Sequence, residues 1–112
     1  MNRVLIRDTL TINGFTVWEV DTGLKAVEWV KANPPPNLIL MDLSLPEMDG
    51  VTAMKHIRAY PPTSNVPIIA ITASAMRGDE EKALAEGFDG YIAKPVNIEE
   101  LVRVVKKYPV SP

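Results

Sequence analysis

Four short apolar runs stand out along the chain, and each is preceded by glycine, proline or asparagine; three of them are also rich in β-branched or aromatic residues. This pattern is typical of β-strands. The predicted strands are residues 15–20, 37–42, 66–71 and 88–93. The run at 37–42 is apolar until its last residue, which indicates a parallel strand buried on both faces.

Between these runs, apolar residues recur at helical spacing, and proline or glycine follows where the spacing stops. The predicted helices are residues 2–12, 24–33, 51–59, 76–86 and about 97–107. Asn97 is the predicted N-cap of the last helix. Strands that alternate with helices predict an α/β fold, a doubly wound parallel sheet with helices on both faces.

Composition restricts the classes of function. With 112 residues and 46% hydrophobic side chains, the chain is expected to form one domain over 1–112. A formal charge of −2 gives no electrostatic footprint for nucleic acid. No cysteine is present, so thiolate metal sites are excluded, and His56 is the single histidine. No apolar run is long enough to span a membrane and no signal peptide is visible, so we expect a cytoplasmic protein without a membrane partner.

Three predicted strands end in one polar residue each, namely Asp42, Thr72 and Lys94. In open parallel sheets, ligands bind outside the carboxyl ends of the strands, so these side chains are expected to converge. Alone, Asp42 would be read as a turn former, Thr72 as an ordinary strand residue and Lys94 as a surface charge. Together they can capture a phosphoryl group: Asp42 attacks the phosphorus, Lys94 offsets the oxygen charge, and Thr72 donates a hydrogen bond.

Three segments in this order resemble the response-regulator receiver domains of two-component signalling. Residues 38–50 (LILMDLSLPEMDG) resemble the phospho-acceptor signature, 69–73 (IAITA) the hydroxyl segment, and 91–95 (YIAKP) the Lys-Pro turn. The resemblance covers nearly the whole chain and implies the flavodoxin-like receiver fold. It also implies that Asp42 is phosphorylated by a sensor histidine kinase or a histidine phosphotransfer protein, as a signalling switch and not as an enzyme.

The resemblance assigns further residues. Thr72 and Tyr91 would form the switch pair, with Thr72 moving toward the phosphoryl group and Tyr91 swinging inward. Pro95 resembles the proline of the family's cis peptide, which would aim the ammonium of Lys94 into the site. Magnesium is the cofactor that the resemblance implies, and its ligands here would be Asp42 and the backbone carbonyl of Ser44.

The sequence departs from the family at its start. Receiver domains begin with an apolar strand that ends in an acidic pair, which also binds magnesium, whereas Asn2 and Arg3 match the beginning of the family's first helix. We therefore expect a domain that is N-terminally truncated relative to the family, in which the usual central first strand and the acidic pair are absent. Magnesium binding is expected to be weakened or lost, and phosphotransfer to be slow or absent.

Loss of a central strand would leave two strand edges unpaired, and exposed edges recruit other chains. The chain is expected to close the gap within itself or to form a homodimer through the open edges, unless it is a shortened form of an ordinary receiver. Two functions stay open at this point. One is the phosphorylation-dependent switch, which acts through protein contacts, and the other is a phosphorylation-independent module for interaction or self-assembly.

Overall fold

The structure, a computed structural model, describes residues 3–43, 48–72, 79–94 and 96–107. Its helices are α1 (Arg3–Ile12), α2 (Gly23–Ala32), α3 (Gly50–Ala59), α4 (Asp79–Glu86) and α5 (Ile98–Lys106). Its strands are β1 (Ile39–Asp42), β2 (Ile68–Thr72) and β3 (Gly90–Ala93). All five predicted helices and three of the four predicted strands are confirmed, although residues 76–78 of the fourth predicted helix lie outside the described ranges.

Helix starts are fixed by side chains that accept a hydrogen bond from a backbone N–H of the first turn. Thr22 Oγ1 accepts from Lys25 N–H at 3.0 Å and caps α2. Asn97 Oδ1 accepts from Glu100 N–H at 3.0 Å, so its predicted N-cap role is confirmed. Asp49 caps α3, which begins immediately after the loop that follows β1.

The three strands form a parallel sheet in the order β1-β2-β3. Ile39 of β1 is opposite Ile68, and Ile69 of β2 is opposite Gly90. Within β2, residues 68–70 are fully buried at 0% exposure. This strand lies between two neighbours and under helices on both faces, which explains its unbroken apolar sequence.

Alternate residues of β2 contact two separate hydrophobic clusters, because successive side chains of a strand point to opposite faces. Ile68 and Ala70 belong to a first cluster that contains residues of α2, α3 and α4. Ile69 and Ile71 belong to a second cluster that contains residues of α1 and α5. The sheet is therefore covered on both faces, as predicted for a doubly wound fold. No helix among the described residues is long and apolar enough to span a membrane.

The prediction of a strand at 15–20 was wrong. These residues are extended but belong to no sheet in the structure. Their side chains still alternate: Phe15 and Val17 pack against the second cluster, whereas Val20 packs against the first. A strand also needs a neighbour that accepts and donates its backbone hydrogen bonds, and no described strand pairs with this segment. The pattern of apolar and polar side chains alone could not show that this backbone pairing is missing from the described sheet.

The buried side of α1 is formed by two residues that lie one turn apart. Ile6 and Leu10 are buried, four residues apart, so they share one side of the helix. Ile12 is 84% exposed. It lies two residues beyond Leu10 and therefore on nearly the opposite side of the helix.

Candidate functional site

The carboxyl edge of the sheet brings the three predicted site residues together. β1 ends at Asp42, β2 ends at Thr72, and Lys94 directly follows β3. Backbone hydrogen bonds tie these strand ends: Leu43 N–H donates to Ile71 C=O at 3.0 Å, and Lys94 N–H donates to Thr72 C=O at 2.7 Å. The site is thus built on the ends of neighbouring strands, where the backbone is held on both sides of β2.

Asp42 and Lys94 form an ion pair, although 52 positions separate them in the sequence. Lys94 Nζ lies 2.9 Å from Asp42 Oδ2, and each side chain is 17% exposed. Partial burial strengthens the attraction between the two charges relative to water. Each side chain also keeps part of its surface in contact with solvent, so the pair is not sealed inside the core.

Thr72 and Tyr91 lie on one face of the sheet. Thr72 follows Ile68 and Ala70 at strand period, so its side chain points toward the first cluster. Tyr91, which is opposite Ala70 in the neighbouring strand, packs against the same cluster. Both side chains are partly buried. Their placement agrees with the predicted switch pair, whose movement stays a prediction.

The start of α3 lies directly beside Asp42. Asp49 Oδ1 accepts a hydrogen bond from Thr52 N–H at 2.9 Å, and Asp49 Oδ2 accepts one from the Thr52 hydroxyl at 3.2 Å. The backbone bond from Thr52 is the main cause that lowers the pKa of the Asp49 carboxyl below its ordinary value. Gly50 N–H donates to Leu43 C=O at 3.3 Å and so joins the helix to the end of β1.

Two glycines beside this loop were not recognised from the sequence. A Cβ on Gly23 would lie 1.9 Å from the carbonyl oxygen of Met48. A Cβ on Gly50 would lie 2.6 Å from the carbonyl oxygen of Asp42. The signal was present, since each glycine directly follows the N-cap residue of its helix, but the close approach of two backbones depends on tertiary structure.

The described residues do not provide enough ligands for a magnesium site. Within the described ranges, no group of three or more His, Cys, Asp or Glu residues could hold a metal ion. Asp42 is the carboxylate at the edge of the sheet, and it is paired with Lys94. Ser44, the predicted carbonyl ligand, and Pro95, the predicted cis proline, lie outside the described residues.

A separate cavity of about 320 Å³ is lined by Glu19, Val20, Asp21 and Lys25. Its charged groups have partners, because Lys25 Nζ lies 3.2 Å from Asp21 Oδ1 and Glu19 binds Arg7 at 3.1 Å. This cavity does not include Asp42, Thr72 or Lys94 among its lining residues. We therefore take the Asp42–Lys94 pair, and not the cavity, as the candidate site.

Comparison with known proteins gives consistent matches. The response regulator receiver domain family matches residues 1–106. The polar-differentiation response regulator DivK of Brucella ovis is 34% identical over 108 residues, which are 96% of this chain and 87% of DivK.

Solved structures give the same result. The receiver domain of the sensor histidine kinase PA1611 from Pseudomonas aeruginosa, described with a magnesium ion in its active-site cleft, has a TM-score of 0.85 and 38% identity, and the match covers 96% of this chain and 87% of that one. A response regulator from Desulfuromonas acetoxidans has a TM-score of 0.83 and 27% identity, with 93% and 84% covered.

Proposed function

The chain belongs to the response regulator receiver domain family, and from this premise we propose that Asp42 accepts a phosphoryl group as part of a two-component signalling switch. The donor is the phosphohistidine of a sensor histidine kinase or of a histidine phosphotransfer protein. The contact between Lys94 Nζ and Asp42 Oδ2 at 2.9 Å carries this proposal. It joins a nucleophile and a counter-charge at the edge where parallel sheets bind their ligands.

The transfer follows from the chemistry of the two side chains. A carboxylate oxygen of Asp42 attacks phosphorus, the P–N bond to the donor histidine breaks, and the imidazole nitrogen leaves with the bonding electrons and takes up a proton from solvent. Lys94 then neutralises charge on the phosphoryl oxygens, and Thr72 donates a hydrogen bond to one of them. The protein positions charges and is itself modified, so it is a stoichiometric acceptor and not an enzyme.

The phosphoryl group is read out through Thr72 and Tyr91. Both lie on the face of the sheet that α3 and α4 cover. When Thr72 moves toward the phosphoryl group, it vacates space that the Tyr91 ring fills, and the surface near the ring changes shape. The proposed output is a change of affinity for another protein that contacts this surface. A cytoplasmic location is part of the same proposal.

Magnesium is expected for the family, since a related receiver domain is described with the ion in its cleft. In this chain we expect weak binding, because the described residues offer no group of three ligands. Where the ion does bind, Asp42 is the carboxylate that would hold it, and it would offset charge on the phosphoryl oxygens. We therefore expect slow phosphorylation that depends little on magnesium.

Incubation with acetyl phosphate tests the acceptor role directly. The wild-type chain is expected to gain the mass of one phosphoryl group slowly, whereas Asp42→Asn, which keeps the size of the side chain, is expected to gain none. Intact mass spectrometry over a magnesium titration measures both effects. Equal labelling of the two proteins would overturn the acceptor role. Rapid labelling that needs magnesium would instead overturn the proposal of weak metal binding.

A second candidate function is self-association through the outer edge of β1. Ile39 N–H donates to Pro67 C=O at 2.9 Å and Leu43 N–H to Ile71 C=O at 3.0 Å. Because hydrogen bonding alternates along a strand, Leu40 turns its backbone groups away from β2. β1 lies at the edge of the described sheet, and an edge of this kind accepts a further strand.

Sedimentation of two matched variants tests this second function. Leu40→Pro removes the outward N–H together with the side chain, whereas Leu40→Ala shortens the side chain but keeps the N–H. We expect the wild type and Leu40→Ala to dimerise with increasing concentration and Leu40→Pro to stay monomeric. A monomeric wild type at all concentrations, or equal association of the two variants, would contradict self-association through this edge.

A further inference from the structure

The first turn of α2 touches the loop that follows the phosphate-accepting strand. Gly23 is buried there, and a Cβ added to it would lie 1.9 Å from the carbonyl oxygen and 2.8 Å from the carbonyl carbon of Met48. Real Cβ atoms essentially never approach closer than 3.0 Å. The oxygen would therefore have to move by about 1 Å or more to admit even a methyl group, and a backbone atom cannot rotate away as a side chain can.

The loop is held from its other side by a second glycine. A Cβ on Gly50 would lie 2.6 Å from the carbonyl oxygen of Asp42 and 2.7 Å from Leu43 Cα. Gly50 N–H also donates to Leu43 C=O at 3.3 Å. Met48 and Gly50 are separated only by Asp49, the residue that caps α3. A displacement of Met48 is thus passed to the start of α3 and from there to the backbone of Asp42.

We infer that Gly23 is a positioning residue for Asp42, acting through the backbone of Met48 and Gly50. The inference rests on the proposed acceptor function. The absence of a side chain at position 23 lets α2 pack directly on the loop, so that the start of α3 stays against the end of β1. The Asp42 carboxylate then keeps its place beside Lys94 and in line with an incoming phosphoryl group.

Gly23→Ala is the direct test. Gly23 does not have a positive φ, so alanine fits its backbone conformation and restricts the unfolded chain more than glycine does. A role confined to α2 therefore predicts an equal or higher melting temperature. The positioning role instead predicts a lower melting temperature and a labelling rate by acetyl phosphate reduced about 10- to 100-fold, since a misplacement near 1 Å has effects of this size.

Gly14→Ala is the matched control. Gly14 has a φ of +92°, so alanine there is strained, but its added Cβ has nothing within 4 Å. This variant is expected to lose stability and to keep the labelling rate of the wild type when both are compared under conditions where they are folded. Equal labelling rates for Gly23→Ala and Gly14→Ala would overturn the inference.

Amide chemical shifts separate a failure of this inference from a failure of the acceptor function. In ¹H–¹⁵N spectra without any phosphate donor, Gly23→Ala is expected to move the amide signals of Asp42, Leu43 and Gly50, and Gly14→Ala is expected to leave them in place. Unchanged signals at these three positions would overturn the inference even if the wild type is labelled normally. If the wild type is not labelled, the acceptor function fails, and the shifts alone decide whether Gly23 positions Asp42.

A milder variant covers the case in which Gly23→Ala does not fold. Thr22→Ala removes the cap that Lys25 N–H binds at 3.0 Å and loosens the first turn of α2. We expect it to shift the amide signals of Met48 and Gly50 and to lower the labelling rate several-fold. If the Thr22→Ala spectra change only at residues of α2, the proposed coupling between the first turn of α2 and the backbone of Met48 and Gly50 is contradicted.

Discussion

Two ion pairs lie at opposite edges of the same sheet, and they are built differently. Arg58 pairs with Asp89 beside the start of β2 and β3, whereas Lys94 pairs with Asp42 beside the strand ends. The lysine pair is the more buried by exposure, at 17% for each side chain against 23% and 42%. A low exposure therefore does not by itself mark a pair as structural, and the two pairs are distinguished by the other groups that each one contacts.

The Arg58 guanidinium is held mainly by backbone partners. It donates to the carbonyl oxygens of Ser64 at 3.3 Å, of Gly87 at 3.2 Å and of Val66. Asp89 also accepts a hydrogen bond from Ile68 N–H at 2.9 Å. These contacts join the end of α3, the start of β2 and the turn before β3. A planar guanidinium, whose N–H donors have a fixed geometry, is well suited to hold these three segments together.

Lys94 has the opposite properties. Its ammonium is a compact charge on a flexible stem, so it can follow negative charge from the Asp42 carboxylate to a phosphoryl oxygen. The comparison teaches that the pair which joins α3 to the sheet is anchored to backbone groups. The pair proposed to capture the phosphoryl group is made by a side chain whose flexible stem lets its charge move. Variants at the two edges are expected to separate stability from phosphorylation.

The largest expected effect on stability comes from Arg58→Met. The change keeps much of the aliphatic stem but removes the hydrogen bonds that Arg58 donates to three carbonyl groups and to the Asp89 carboxylate. We expect the free energy of unfolding to fall by about 2–3 kcal/mol, discounted for partial exposure. Urea unfolding measures it, with Lys55→Met on the exposed face of α3 as the control. A loss as small as that of the control, within about 0.5 kcal/mol, would contradict the structural role.

Lys94→Met is expected to show the reverse pattern. Phosphorylation by acetyl phosphate should slow about 10- to 100-fold, because no cation then offsets charge on the phosphoryl oxygens. Stability should fall by less than in Arg58→Met, since Lys94 has one side-chain contact with Asp42 whereas Arg58 also donates to three backbone carbonyls. Lys94→Arg is the control that keeps the charge and is expected to recover part of the rate. A large loss of stability with an unchanged rate would reverse the roles of the two pairs.

Thr72→Val is expected to have a smaller effect at the same edge. It replaces the hydroxyl by a methyl group of similar size, so one hydrogen bond to the phosphoryl group is lost. The labelling rate should fall about 2- to 10-fold, which corresponds to one such bond. A time course of intact mass measures it. A rate equal to that of the wild type would remove Thr72 from the site.

The smallest expected effect concerns the cap of α3. The Asp49 carboxyl has a folded pKa below its ordinary value of 3.8, mainly because Thr52 N–H donates to it. A lowered pKa contributes stability above 3.8, and this contribution is lost as the pH falls through the folded pKa. Asp49→Asn keeps an acceptor oxygen but cannot ionise. Its melting temperature should lie slightly below that of the wild type at pH 6, and the difference should shrink as the pH falls below 3.8.

The sequence predicted the parts of the site that depend on strand ends. Asp42 and Lys94 each follow an apolar strand, and strands of a parallel sheet end at one edge, so their contact could be inferred without coordinates. The sequence could not predict that the segment at 15–20 lacks a partner strand in the described sheet, or that Gly23 and Gly50 lie close to other backbone segments. Strand pairing depends on a neighbouring strand, and a close approach depends on the distance between two backbone segments. Neither can be read from a local sequence pattern.

The contacts of Arg58 could not be predicted from the sequence either. Arg58 lies in a helix and Asp89 in a turn 31 residues later, so neither spacing nor composition joins them. Its partners are mainly backbone carbonyls, which every residue carries and which the sequence therefore cannot distinguish. Patterns predict which elements form and which edge binds a ligand. Tertiary structure decides which charged residue is anchored and which stays able to move.

The most direct test of the account is to locate the phosphoryl group on the chain. After treatment with acetyl phosphate, reduction with borohydride converts an aspartyl phosphate into homoserine, and peptide mass spectrometry identifies the modified position. The account predicts homoserine at position 42 and at no other aspartate. Homoserine at another aspartate, or a phosphoryl group retained on a serine, threonine or histidine, would contradict it.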